Sequence, residues 1–150
     1  MKDLAYNSRA SFDYDILETY EAGLALQGLE VKSVRLGRAK LQGAYIIIRN
    51  GEAFLVGMHI PPFQAGNTPE WYDPDQTRKL LIRKQEISHL TGKSFQQGLT
   101  LVPIRVYSKR ALLKLEFGVG RGKKASDKRQ KIREREDSRR MARIVKDDWI

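Results

Sequence analysis

The densest concentration of chemically meaningful side chains in this sequence is a basic cluster near its C-terminus. Eight lysine and arginine residues fall within fifteen positions: Arg121, Lys123, Lys124, Lys128, Arg129, Lys131, Arg133 and Arg135. Such a density attracts phosphate, because each phosphate that is neutralised releases a condensed counterion. A nucleic acid fits better than a membrane surface, since Met141, Ile144 and Val145 form only a small apolar stripe. A solvated charged tail is the alternative interpretation.

Motifs for catalysis are incomplete or missing from the sequence. It contains no cysteine and two histidines, His59 and His89, which excludes thiol chemistry, disulfides and a histidine-rich metal site. Gly92-Lys93-Ser94 resembles the end of a phosphate-binding loop, but Ile87 stands where that loop needs glycine. Gly118–Gly122 fails as a dinucleotide fingerprint and is interpreted as a flexible hinge. We therefore expect a protein that is not an enzyme and that holds no metal or cofactor.

Charge is distributed unevenly along the 150 residues, whose net charge is +10. Residues 1–120 carry 16 basic and 12 acidic side chains, whereas residues 121–150 carry 12 and 6. This predicts a folded body over residues 1–119 and a basic tail over residues 120–150, helix-capable but disordered when free. Since neither a secretory signal nor an apolar run of about 18 residues is visible, we expect a soluble cytoplasmic protein.

The sequence of the body predicts mainly short strands. Asn50-Gly51 between Tyr45–Arg49 and Ala53–Val56 predicts a tight hairpin, because both turn positions tolerate positive φ. Further strands are predicted at 13–16, 80–82, 99–107 and 112–119, the last two joined by Ser108-Lys109-Arg110, and Pro103 indicates a sheet edge or a bulge.

Three other segments complete the prediction. Residues 19–28 look like a brief helix and residues 85–90 like another that Gly92 ends, while Leu29, Val31 and Ser33 alternate as in a half-buried strand. Six or seven strands with two or three short helices favour a mainly β fold, a closed or partly closed antiparallel barrel.

Seven segments stand out together, in chain order: Glu21–Ser33, Gly51–Leu55, Asp73-Pro74, Arg78–Ile82, Gly118–Lys124, Asp127–Arg129 and Ile132–Glu136. Together they resemble the SmpB family, the bacterial SsrA-binding proteins, from about Asn7 to Val145. The resemblance implies an OB-fold-like antiparallel β-barrel that binds the tRNA-like part of transfer-messenger RNA. It also implies delivery of that RNA, with elongation factor Tu, to stalled ribosomes for trans-translation, as a monomer and without any chemistry of its own. The tail would occupy the empty decoding centre and message channel, where it becomes helical.

The same resemblance implies the site residues. RNA-binding positions are Asn7, Arg9, Glu21, Leu81, Arg83, Lys114, Arg121, Lys123 and Lys124, with Glu21 on a helix and Leu81 on a neighbouring strand. The ribosome-interacting positions of the tail are Asp127, Lys128, Arg129, Lys131, Arg133, Ile144 and Val145. A simpler reading of Glu21 is a first-turn carboxylate that a helix dipole favours.

This sequence departs from the family pattern at three positions. Ser8 stands where a basic residue is common, and Arg83 replaces a neutral polar side chain or histidine and so adds a possible phosphate contact. Ser126 replaces a histidine or aromatic residue, so a stacking role does not carry over. Two other function classes stay open at this point: a structural ribosomal or general translation-associated RNA-binding protein, and a small RNA-processing enzyme.

Overall fold

The computed structural model describes residues 2–94, 96, 98–123, 133 and 136. Within these residues lie seven strands: β1 (Lys2–Tyr6), β2 (Tyr14–Leu24), β3 (Tyr45–Arg49), β4 (Glu52–Val56), β5 (Arg78–Leu81), β6 (Leu99–Lys109) and β7 (Leu112–Gly122). The helices are α1 (Arg9–Asp13), α2 (Gly28–Arg35) and α3 (Lys84–Ser94), with a 3₁₀ turn at Ala65–Asn67. None of these described helices combines the length and the apolar content that crossing a bilayer requires.

All seven strands join one antiparallel sheet in the order β1-β6-β7-β2-β5-β4-β3. The sheet curls so that β3 comes against β6, while α3 packs over both strands. Within the described ranges β1 and β3 share no ladder, so the barrel is partly closed. The mainly β, OB-fold-like prediction is confirmed.

The core fills the inside of this curl. Along β7 the inward positions Leu113, Leu115, Phe117 and Val119 are all buried, as the alternation of a strand requires. They pack with apolar side chains of the other strands, such as Leu55 of β4, which is fully buried. The opposite, outward positions of the same strands are thereby left for a functional surface.

Both predicted hairpins are present. Asn50 and Gly51 have φ values of 53° and 73° and connect Arg49 directly to its partner Glu52, so this prediction is confirmed. The β6–β7 connection is shorter than expected: Lys109 pairs with Leu112, and the turn is Arg110-Ala111. Because β6 lies between β1 and β7, it is not an edge strand, although its ladder with β1 ends at Arg105, before Pro103. The register of its ladder with β7 shifts at Pro103, and the predicted bulge is confirmed.

The helix predicted over residues 19–28 is wrong, as is the strand predicted for Leu29–Ser33. Residues 19–24 belong to β2, which pairs with β7 on one side and β5 on the other. The helix begins only at Gly28, where the Gln27 amide donates to Glu30 Oε1 at 3.1 Å. Two interstrand ladders therefore decide the backbone of residues 19–24, and a capping box decides where α2 starts. Smaller differences are that the prediction lacks β1 and α1, that the strand predicted at 13–16 is the end of α1 and the start of β2, and that α3 continues through Gly92 to Ser94.

The glycine-rich segment 118–122 is not a hinge. It lies within β7, where a Cβ atom on Gly118 would come within 2.7 Å of the Glu18 carbonyl oxygen. Glycine is therefore required for close strand contact rather than for flexibility. The strand runs to Gly122, past residue 119, and the Lys123 amide then donates to the Asp13 carbonyl at 2.8 Å.

A buried ion pair ties β5 to α2. Arg78 and Glu30 are 2% and 1% exposed, and an Arg78 Nη2–Glu30 Oε2 distance of 2.7 Å joins them. The guanidinium also donates to the carbonyl oxygens of Met58 and Pro74. The start of β5 is thus attached to a helix and to the loop that precedes the strand.

Candidate nucleic-acid interface

Four of the predicted RNA-binding residues line one cleft of about 390 Å³ on the outer face of the sheet: Glu21, Leu81, Arg83 and Lys114. Strand register explains the convergence, because Gly23 of β2 pairs with Leu81 of β5 on one side and with Lys114 of β7 on the other. Arg83 lies two residues past the end of β5 and is exposed. Positions spread over more than ninety residues of sequence therefore meet in one cleft.

Leu81 forms an apolar platform within this cleft. Its side chain is 56% exposed, which is unusual for leucine on an interior strand. It lies directly over Gly23, where an added Cβ would come within 3.3 Å of the Leu81 Cβ. The missing side chain at Gly23 leaves room for Leu81 on the sheet, and the exposed methyl groups can contact a base or a ribose.

Glu21 lies on β2 rather than on a helix, so the helix assignment and the helix-dipole reading are both wrong. Its Oε2 atom accepts a hydrogen bond from the Tyr107 hydroxyl and lies 3.5 Å from Lys109 Nζ. The Tyr107 hydrogen bond, with smaller contributions from Lys109 and Lys114, lowers the pKa of Glu21, against an opposing effect of desolvation. Glu21 is a carboxylate at neutral pH and can accept hydrogen bonds from a ligand.

The outer face continues from this cleft toward β1 as a charged network. Arg105 of β6 pairs with Asp3 at 2.5 Å and with Glu116 at 3.0 Å, and its guanidinium lies 4.4 Å from the centre of the Tyr107 ring. A second, shallower depression lined by Arg105, Tyr107, Lys109 and Glu116 adjoins Glu21. This part of the face alternates positive and negative groups instead of presenting one charge.

Asn7 and Arg9 lie elsewhere, around the short helix α1. Asn7 is buried; its Nδ2 donates to the Pro103 carbonyl at 2.8 Å, and its Oδ1 accepts from the Arg9 amide at 3.2 Å. The Arg9 side chain is exposed and pairs with Asp13 at 3.3 Å. Both residues line a separate cleft of about 360 Å³ that also includes the exposed Tyr45.

Lys123 belongs to this α1 group, and Arg121 pairs with Asp15 of β2, two residues past the end of α1. Arg121 is exposed at the end of β7, seven residues and roughly 23 Å along the strand from Lys114. Lys123 Nζ donates to the Ser11 carbonyl at 2.8 Å and lies 3.8 Å from Asp15, which leaves its side chain 14% exposed. The predicted RNA-binding residues that the structure describes therefore form two groups at separate places on the barrel.

The predicted RNA-binding residue Lys124 lies outside the described residues, as do most of the ribosome-interacting positions: Asp127, Lys128, Arg129, Lys131, Ile144 and Val145. Arg133 is described, with helical backbone and an exposed side chain. In the described part of the chain, no three histidine or carboxylate side chains are grouped so that they could hold a metal ion.

Sequence reasoning missed Arg105, Tyr107 and Lys109. Their signal was present, because they alternate with Val106 and Ser108 and so share one face of β6. The period alone did not say whether that face points to the core or to solvent. Tyr107 is 3% exposed although it lies on the outer face, because neighbouring charged side chains cover it.

Comparison with known proteins agrees with this architecture. The family model described as SmpB protein matches residues 4–147. An SsrA-binding protein of Thermosynechococcus vestitus is 49% identical over 146 residues, covering 97% of this chain and 96% of that protein. The SsrA-binding protein of Trichodesmium erythraeum is also 49% identical, over 145 residues, covering 97% and 93%.

A solved structure described as "tmRNA-SmpB: a journey to the center of the bacterial ribosome" has the same fold. It matches with a TM-score of 0.67 and 46% sequence identity, covering 80% of this chain and 84% of that chain. A family match over nearly the whole length, close relatives and a shared fold lead to one assignment. The chain belongs to the SmpB protein family.

Proposed function

We propose that this protein binds the tRNA-like part of transfer-messenger RNA and delivers it to stalled ribosomes for trans-translation. The observation that carries the proposal is the cleft in which Glu21, Leu81, Arg83 and Lys114 meet, in a member of the SmpB family. Relatives named SsrA-binding proteins and the tmRNA-SmpB structure support it.

The cleft offers three kinds of contact to a folded RNA. Arg83 and Lys114 attract phosphate, Leu81 packs on a base or ribose, and Glu21 accepts a hydrogen bond from a base edge or a 2′-hydroxyl. A single strand cannot present phosphate, apolar surface and a donor at fixed mutual positions. A folded, tRNA-like surface can, so the geometry favours recognition of shape.

The α1 group supplies the second contact region. Exposed Arg9 and Arg121 reach phosphate directly, whereas buried Asn7 acts by holding α1 against the bulge at Pro103. Lys123 has part of its hydrogen-bonding capacity committed to Ser11 and contributes chiefly its positive charge. Two regions on one barrel would fix the orientation of the RNA as well as its affinity.

The part of the predicted tail that follows β7 and Lys123 would act on the ribosome. In this proposal Asp127, Lys128 and Arg129, with Lys131, Arg133, Ile144 and Val145, enter the empty decoding centre and message channel and become helical there. Lys124 joins the RNA-binding group, elongation factor Tu belongs to the same delivery complex, and the protein acts as a cytoplasmic monomer. It performs no chemistry, because peptide transfer belongs to the ribosome.

Fluorescence anisotropy of labelled RNA tests the RNA part. We expect tighter binding to a tRNA-like RNA than to an unstructured strand of equal length, and weaker binding as salt rises. The double variant Arg83→Gln/Lys114→Gln should weaken binding and reduce the salt slope by about one unit for each phosphate that is no longer neutralised. A matched control, Lys40→Gln/Arg49→Gln, removes two exposed charges outside the cleft and should change the affinity far less.

The other function classes predict different results. Equal affinity for both RNAs would favour a general translation-associated RNA-binding protein. Specific cleavage of RNA in the presence of a divalent metal would favour a processing enzyme. If the cleft variant and its control lose the same affinity, the cleft is not the interface.

Truncation after Lys123 tests the tail separately, because it preserves β7 and the Lys123–Asp13 hydrogen bond. We expect tRNA-like RNA to be bound with much of its affinity, reduced by the loss of tail charge. Tagging of stalled chains in a reconstituted translation system should be lost. Retained tagging would remove the tail from the mechanism.

A further inference from the structure

We propose that Tyr107 is a positioning residue for RNA recognition: its hydroxyl holds the Glu21 carboxylate in the orientation that meets the RNA. Tyr107 is 3% exposed and so acts through Glu21 instead of contacting the RNA itself. The inference rests on the proposed function and names the part of the cleft that sets specificity.

The sheet register brings the two residues together. Glu21 pairs with Glu116 of β7, while Tyr107 pairs with Lys114 of the same strand from the opposite side. Tyr107 and Glu21 therefore lie on the same face on either side of β7, offset along the strands by two residues and roughly 12 Å apart at the backbone. A tyrosine and a glutamate are long enough to meet over an intervening strand, and their hydrogen bond closes this gap.

The tyrosine ring is itself held in place. The Arg105 guanidinium lies 4.4 Å from the ring centre, and Arg105 is anchored by Asp3 at 2.5 Å and by Glu116 at 3.0 Å. This network extends from β1 through β6 and β7 to Glu21 on β2. A hydroxyl on a fixed ring presents its proton at one place, so the carboxylate that accepts it is fixed as well.

Glu21 needs such a partner because its other neighbours do not fix it. The carboxylate is 40% exposed, Glu116 stands directly opposite with the same charge, and Lys109 is a flexible, half-exposed cation at 3.5 Å. The Tyr107 hydrogen bond is also the largest cause of the lowered pKa of Glu21, in agreement with its role as the main partner.

The geometry also indicates which oxygen meets the RNA. Among the described residues, the contacts from Tyr107 and Lys109 both fall on Oε2 of Glu21. Oε1 is left to accept one hydrogen bond from the ligand. The matching RNA group is a donor, either a 2′-hydroxyl or an N–H on a base edge.

A double-mutant cycle on RNA affinity tests the inference, with Tyr107→Phe, Glu21→Gln and the two combined. Phenylalanine keeps the ring beneath Arg105 and removes only the hydroxyl. We expect Tyr107→Phe to weaken binding of the tRNA-like RNA on the order of tenfold, as loss of a hydrogen bond to a charged group would. The double variant should bind no more weakly than Glu21→Gln, because Tyr107 acts through Glu21.

Tyr72→Phe is the matched control. It also removes one hydroxyl that donates to an acceptor, the Ile60 carbonyl at 2.7 Å, but the residue lies outside the cleft. It should lower the melting temperature and leave RNA affinity unchanged. An equal loss of affinity in Tyr72→Phe would overturn the inference, since general destabilisation would then explain both variants.

The pH dependence of RNA affinity distinguishes a positioning role of Tyr107 from a purely structural role, because a purely structural role would not shift it. Glu21 faces Tyr107 and Lys109 of β6, Lys114 and Glu116 of β7, and Arg83 and Glu86 at the α3 side of the cleft. Without the Tyr107 hydrogen bond the pKa of Glu21 rises, so the acid-side loss of RNA affinity should move to higher pH in Tyr107→Phe. An unshifted acid limb would count against the inference.

The remaining outcomes separate this inference from the proposed function. Affinity lost in Glu21→Gln but retained in Tyr107→Phe would overturn the positioning role alone. Additive losses in the double variant would mean that Tyr107 acts independently of Glu21, which also overturns it. Full affinity in both Glu21→Gln and Arg83→Gln/Lys114→Gln would remove the cleft from RNA binding, and the proposed function would fail first.

Discussion

Replacing Arg78 by methionine tests how the barrel holds β5, the strand that carries Leu81 into the cleft. Methionine has a similar length and fits an apolar site, so the main change is the loss of one charge and its hydrogen bonds. In the unaltered protein Arg78 pairs with Glu30 at 2.7 Å and donates to the carbonyl oxygens of Met58 and Pro74.

The size of the effect follows from burial. Glu30 is 1% exposed, so Arg78→Met leaves a carboxylate out of water without its counter-charge. Breaking a buried pair from one side costs about 3–5 kcal/mol, whereas a whole domain is stable by about 5–15 kcal/mol. We therefore expect Arg78→Met to lose a large part of the free energy of unfolding.

Urea unfolding followed by circular dichroism measures this loss. With an m-value of about 2 kcal/mol/M, the midpoint should fall by about 2 M. The double variant Glu30→Gln/Arg78→Met should recover more than half of the loss, because it removes the stranded charge while the glutamine oxygen can still accept from the Gln27 amide. Both variants lose the same donors to Met58 and Pro74. The difference between their free energies of unfolding therefore measures the cost of leaving the Glu30 charge unpaired.

Lys79→Met, at the adjacent position, is the control. Lys79 also pairs with a glutamate, Glu52, at 3.2 Å, but both side chains are about half exposed. Such a surface pair contributes about 0–1 kcal/mol, so the midpoint should hardly move. The reasoning is refuted if Arg78→Met costs no more than Lys79→Met, or if the double variant is less stable than Arg78→Met alone.

Three further predictions concern stability. Gly118→Ala should cost about 1–3 kcal/mol in thermal unfolding, because its Cβ would lie 2.7 Å from the Glu18 carbonyl oxygen, whereas Gly122→Ala meets nothing within 4 Å and should be nearly neutral. Gly51→Val should cost at least about 1–2 kcal/mol in the same assay, because φ is 73° there and valine disfavours it. Burial and the hydrogen bond to Glu18 raise the pKa of Tyr20 to about 12, so its stabilising contribution should be complete below pH 10 and lost as the pH rises through 12. Spectrophotometric titration follows the ionisation of the tyrosines and checks the last prediction. If Tyr20→Phe shows as many tyrosines ionising at high pH as the unaltered protein, that prediction is contradicted.

Elements that depend on a few neighbouring residues could be predicted from the sequence. The Asn50-Gly51 hairpin is present because two adjacent residues tolerate positive φ, and the bulge at Pro103 is present because proline lacks an amide hydrogen. The mainly β fold also follows from strand-like alternation, as along β7. Each of these features depends on residues that are close together in the chain, so the sequence is enough to predict it.

Residues 19–24 show where short-range rules fail. Their composition is compatible with a helix, but Glu21 pairs with Glu116, and Gly23 pairs with Leu81. Those partners are 95 and 58 positions away in the chain, respectively, and their ladders outweigh a weak helical preference. Short-range rules could not predict the Arg78–Glu30 pair either, because its members are 48 positions apart in the chain.

The sequence by itself determined the basic tail, the absence of cysteine and the family motifs, because charge and composition do not depend on which segments meet. Only the tertiary structure decided that Glu21, Leu81, Arg83 and Lys114 share a cleft, that Asn7 is buried, and that the Tyr107 hydroxyl donates a hydrogen bond to Glu21. Strand order and register set those contacts. The strand order and register are in turn those that bury the core and satisfy the ladder hydrogen bonds of the whole chain at once.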